Sequence, residues 1–145
     1  MNKPTDPLNT PLTWRAFLYN DILLQWETKV VNIRTEVYNK KAIANNIGLL
    51  VVKKSNLAEM RAVEEEYRRS TSEFLVFYAN SKAYEALFKR LRDTVAHGHY
   101  AADGKGWLNM RHCYQDRGEK KPSPRLIGHM KFSTLKQLVK FVSRT

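Results

Sequence analysis

A chain of 145 residues with 43% hydrophobic and 11% aromatic side chains has the length and apolar content of one packed domain, which excludes general disorder. Its 25 lysines and arginines against 14 acids give a net charge of +11, which favours a polyanionic partner: RNA, DNA or an anionic membrane. The longest apolar runs, such as IGLLVV (47–52), are too short to span a bilayer, and no apolar signal core precedes Thr13; with a single Cys113 ruling out an internal disulfide, the sequence predicts a cytoplasmic protein with no membrane partner.

Residues 1–12 hold three prolines and read as a tail or lead-in. Thr13 is a predicted N-cap for a helix from Trp14 to about Arg34, with Phe17, Leu18, Ile22, Leu24 and Val31 on its apolar face. Residues 36–56 contain Asn45, Asn46 and Gly48, which break a helix, and LLVVKK fits a short strand or a loop; the segment stays open. Asn56 is a possible cap for a second helix in which Met60, Val63, Tyr67, Phe74 and Tyr78 follow helical spacing. Glu64 before Arg68 and Glu65 before Arg69 place acids and bases one turn apart on its solvated face.

The pattern restarts at Asn80 or Ser81. Tyr84, Leu87, Phe88, Leu91 and Val95 mark the buried stripe of a third helix, which ends or bends at Gly98. Beyond Gly104 and Gly106 the period changes to two. Leu108, Met110, His112 and Tyr114 alternate, as do Leu126, Gly128, Met130 and Phe132, and the basic link DRGEKKPSP joins them as a hairpin. Ser133 caps a last helix striped by Leu135, Leu138, Val139 and Val142. The order predicts a single domain over 1–145, mainly α, with the hairpin (105–132) as an insertion.

The stretch RLRDTVAHGHY (90–100) gathers the reactive side chains at a helix end. Asp93 and His97 are four apart and share a face, so the carboxylate can hold the imidazole in one tautomer. Arg92 borders the apolar stripe, where a packed stem fixes a guanidinium suited to a phosphate. These parts suit metal-independent RNA cleavage, in which a ribose 2′-hydroxyl attacks the adjacent phosphorus. That reaction needs a base, an acid and a cation for the developing charge. One histidine does not comfortably serve as both acid and base, so a two-fold dimer would bring two copies of Arg92 and His97 into one cleft. The plainer alternative is the polar end of a surface helix, where a histidine interacts favourably with the helix dipole.

RDTVAH resembles the R-x4-6-H motif of the HEPN superfamily, in which a polar residue commonly follows the arginine, as Asp93 does here. The context FKRLRDTVAHG, with glycine after the histidine, is similar too, and the trailing hairpin and helix look like the plasmid- and phage-associated branches. The resemblance implies an all-α, HEPN-like bundle and a homodimer. It further implies a metal-independent endoribonuclease of a toxin or phage-defence system, with a possible antitoxin or other protein inhibitor. By position, Arg92 and His97 become the catalytic pair and Asp93 their support. Some toxin members carry a tyrosine two residues after the histidine, which a partner enzyme modifies; here that position is His99, so that control is not implied. Other members bind RNA, nucleotide or a protein partner without cleaving, which is the alternative function.

His99, Tyr100, Lys120, Lys121 and Arg125 are candidate RNA contacts, the last three on the basic link. Trp107 is a further candidate for base stacking, or a core residue. His97, His99, His112, Cys113 and His129 match no structural zinc spacing, and no glycine-rich phosphate loop appears, so neither metal nor cofactor is expected.

Overall fold

The computed structural model describes residues 7–24, 47–67, 70–80 and 83–142. The expected helical stretch from 25 to Arg34 with Val31, most of the open segment 36–56, the Arg68 and Arg69 pairings, and the side chains of Tyr84 and Val142 lie outside the described residues.

After a short 3-10 turn (Pro7–Asn9), helix α1 (Leu12–Phe17) begins at Pro11, whose carbonyl accepts from the backbone N of Trp14 and Arg15, each at 3.0 Å. Thr13 therefore sits inside the first turn and does not cap it. The helix continues as a wider π-type turn (Leu18–Leu24) that buries Leu18 and Ile22. Trp14 stacks on Phe132 at 4.2 Å, pinning this N-terminal piece to the start of the last helix.

The remaining elements are β1 (Leu50–Lys54), α2 (Leu57–Tyr67), β2 (Phe74–Tyr78), α3 (Ala83–Ala96), β3 (Tyr100–Ala102), β4 (Trp107–Tyr114), β5 (Ser123–Lys131) and α4 (Phe132–Val142). The strands form one mixed sheet in the order β1-β2-β5-β4-β3, with β1 parallel to β2 and every other pair antiparallel. This sheet overturns the expected mainly α, HEPN-like bundle: the fold is α/β. A parallel pair needs a crossover connection, and α2 supplies it.

Asn56 does cap α2: its Oδ1 accepts from the backbone N of Ala58 at 2.7 Å. The helix ends at Tyr67, however, and Phe74 and Tyr78 belong to a strand. FLVFY is an unbroken run of β-branched, aromatic and leucine side chains, and its first four residues are buried. A strand covered on both faces shows no alternation, and its i,i+4 aromatics imitate a helix. LLVVKK, left open above, supplies the edge strand β1. The hairpin is likewise no insertion. Strand β5 lies between β2 and β4 and is buried from Ser123 to Met130, so it is the central strand of the domain.

Period two sorts the core onto two faces. Val51, Leu75, Phe77, Leu108, Met110, Leu126 and Met130 pack against Leu18, Ile22, α3 and α4. Phe74, Val76 and Ile127 pack against Met60 and Val63 of α2. Glu64 pairs with Arg111, which ties α2 to β4. No helix among the described residues is long and apolar enough to cross a membrane.

A candidate anion-binding cleft with two histidines

Helix α3 ends in a Schellman turn. Gly98 N donates to Val95 O (3.1 Å), His99 N donates to Thr94 O (2.9 Å), and Gly98 takes φ 68°, a conformation open to glycine and costly for other residues. The turn places His97 and His99 on either side of Gly98, and His99 O then accepts from Arg111 N (3.1 Å) at the start of the β3–β4 pairing. Gly98→Ala is expected to cost about 1–2 kcal/mol, the penalty of the left-handed region for an L residue. A urea unfolding midpoint unchanged from the wild type would contradict it.

Beside this turn, α3 and the ends of β4 and β5 enclose a cleft of about 410 Å³ lined by Lys89, Arg90, Asp93, His97, His112, Tyr114, Asp116 and Arg125. Arg90, Asp93 and His97 are spaced i, i+3, i+7, which stacks them on one side of α3. Arg92 is not among the lining residues. Its Nη1 donates to Asp93 Oδ1 at 2.9 Å. At about 100° per residue, positions five apart point to different sides of a helix. The structure thus brings Asp93 and His97 into the cleft and places Arg90, not Arg92, beside them.

The opposite wall owes its shape to a β-bulge. His112 pairs with Leu126 and Cys113 with Pro124, so Arg125 is passed over in the register of β4 and β5. A bulge both re-aims a side chain and tolerates the missing N–H of a proline such as Pro124. Arg125 is only 1% exposed. Its Nη2 donates to Asp116 Oδ2 (2.8 Å) and Glu119 Oε1 (2.7 Å), and its guanidinium lies over the rings of Tyr78 (5.4 Å) and Tyr114 (5.7 Å). Hydrogen bonds from the Ser123 hydroxyl and the Asp116 backbone N hold the Glu119 carboxyl down at about 2, so it stays charged beside Arg125. Arg90 donates through Nε to Tyr78 O (3.2 Å) and covers the same ring at 5.5 Å. Burial lowers the pKa of its guanidinium; the Asp93 charge opposes that shift and the Arg125 charge adds to it.

At the other end of the cleft three imidazoles meet. Ring centroids are 5.4 Å apart for His97 and His112, 5.1 Å for His99 and His112, and 5.8 Å for His97 and His99. His99 Nδ1 and His112 Nδ1 are 3.0 Å apart, so one ring donates and the other accepts. Burial, followed by the His99 charge, pushes His112 down to about 4 against the pull of Asp93. Burial and His97 lower His99 too. Among the described residues no group of three or more His, Cys, Asp or Glu side chains is arranged to hold a metal ion.

The other expected contacts scatter. Lys120 and Lys121 are exposed on the link outside the cleft lining. Tyr100 is buried in the main core, so its ring is packed rather than offered to a base. Trp107 is partly buried and stacks on His129 at 4.4 Å. Arg125 does reach the cleft, from a strand rather than from a loop. Lys89, Arg90 and His112 were missed as site residues. The i, i+3, i+7 spacing was a readable signal for Arg90, whereas His112 needed the pairing of β4 to be known. Comparison of the chain with family models, curated proteins and solved structures gives no match.

Proposed function

We propose that this cleft cleaves RNA without a metal ion, by attack of a ribose 2′-hydroxyl on the adjacent phosphorus. One observation carries the reading: a single chain brings two histidine rings, His97 and His112, to one cleft together with Arg90. His112, held neutral, accepts the 2′-hydroxyl proton as the new O2′–P bond forms. His97 gives a proton to the 5′-oxygen as the P–O5′ bond breaks. Arg90 faces the charge that develops on the non-bridging oxygens. Asp93 supports His97 from one turn away, and Arg92 acts through Asp93 as a positioning residue.

Two histidines in one copy remove the need to draw acid and base from two subunits. The homodimer, the toxin or phage-defence role and the protein inhibitor rest on the resemblance of RDTVAH alone. The test is single-stranded RNA incubated with the protein in EDTA. The expected products end in 2′,3′-cyclic phosphate and 5′-hydroxyl, and His97→Ala lowers their rate of formation at least about a hundredfold. Full activity in folded His97→Ala overturns the assignment. Salt-sensitive RNA binding with no cleavage by the wild type would instead support a non-catalytic RNA-binding module.

A further inference from the structure

We propose that Arg125 and Lys89 form a second phosphate seat in the cleft, so that the ligand is an oligonucleotide engaged through a non-scissile phosphate as well as the reacting one. The inference rests on the ribonucleotide reading above, but its observations are separate. Arg125 is 1% exposed and held by the bulge and by two tyrosine rings. Both carboxylates that neutralise it, Asp116 and Glu119, bond to Nη2. Nη1 is buried and has no hydrogen-bond partner among the described residues. A buried guanidinium with an unused N–H pair is costly unless an acceptor arrives.

The surroundings suit such an acceptor. Arg90 and Arg125 flank one ring, that of Tyr78, and repel one another, a strain that an anion between them relieves. Lys89, on α3 like Arg90, adds an exposed cation to the cleft lining across from Arg125. Along α3, Lys89 and His97 are separated by eight residues, about 12 Å of helix rise, with Arg90 between them. That separation gives room for two phosphates rather than one. The volume of about 410 Å³ lies in the range of small-ligand clefts. A rigid guanidinium recognises phosphate through paired N–H groups, and an extended chain of phosphates supplies the second contact.

The test uses 2′-O-methyl dinucleotides, which the proposed reaction cannot cleave, bound to the full chain. Three forms are compared: no terminal phosphate, a 5′-phosphate and a 3′-phosphate. One terminal phosphate is expected to tighten binding about tenfold, and which end does so gives the direction of the strand. Lys89→Gln and Arg125→Lys each cut that gain to about threefold or less, whereas Lys140→Gln, exposed on α4 and absent from the cleft lining, leaves it intact. Lys89 is exposed, so its variant keeps the test decisive if Arg125→Lys fails to fold. An equal gain in Lys89→Gln and wild type, or no gain in the wild type at either end, overturns the seat. Cleavage without the phosphate gain sinks only the seat; the gain without cleavage sinks only the ribonuclease reading.

Discussion

His112→Gln is expected to lower the rate of RNA cleavage by about 10²–10⁴-fold, the usual contribution of a positioned acid or base. Glutamine keeps a polar side chain of similar reach in the cleft but cannot take a proton, so uncleavable 2′-O-methyl RNA still binds. The rising limb of the wild-type pH–rate profile belongs to His112 and is centred near its value of about 4. Arg90→Ala should damage cleavage more than Arg92→Ala, because Arg90 lines the cleft while Arg92 reaches it only through Asp93. The reverse order, read in the same assay, would return the role to the arginine of the RDTVAH motif and remove Arg90 from it.

Acid lability is the second large effect. His112 has a folded-state value of about 4 against an ordinary 6.5, so between those limits the unfolded chain binds more protons than the folded one. The part of the stability tied to His112 is therefore complete above about pH 6.5 and is lost as the pH drops towards 4. The full shift corresponds to roughly 3 kcal/mol, since each unit is about 1.4 kcal/mol. His99, lowered for the same main reason, pulls in the same direction. At 3.0 Å the two Nδ1 atoms share a single proton, so charging both rings breaks their hydrogen bond as well. Urea unfolding of the wild type between pH 7 and 4 should show this loss, and His112→Gln should remove most of it. A slope as steep in the variant as in the wild type would refute the assignment to His112.

The sequence carried the local punctuation well. Asn56 caps a helix, Gly98 ends one, and Leu108, Met110 and His112 alternate on a strand, as their spacing predicts. It misled wherever local rules are degenerate. Phe74 and Tyr78 satisfy helical spacing and a two-sided buried strand equally, and only the pairing with β1 and β5 decides. The polar link looked like a loop through Pro124, yet the central strand begins at Ser123. Part of the site was legible, since Asp93 and His97 were chosen from their shared helix face. The choice of Arg92 rests on its place at the border of the apolar stripe and on the motif spacing, yet the cleft lies on the side of α3 that carries Arg90. Arg125 needed the bulge, which depends on two strands at once and leaves no mark in either alone.

The placement of β5 has a consequence for how the protein is made. It is the last strand in chain order, yet it occupies the middle of the sheet and joins the β1–β2 half to the β4–β3 half. Its pairing with β2 links positions some fifty residues apart, such as Leu75 with Gly128. Such contacts form slowly, because the loop must close before they are rewarded. On a ribosome, α3 can coil and β1, α2 and β2 can associate while Arg125 has not yet been translated. Arg125 is thus the last residue of the cleft lining to be added, and a chain stopped before it carries His97, His99 and His112 without the guanidinium opposite them.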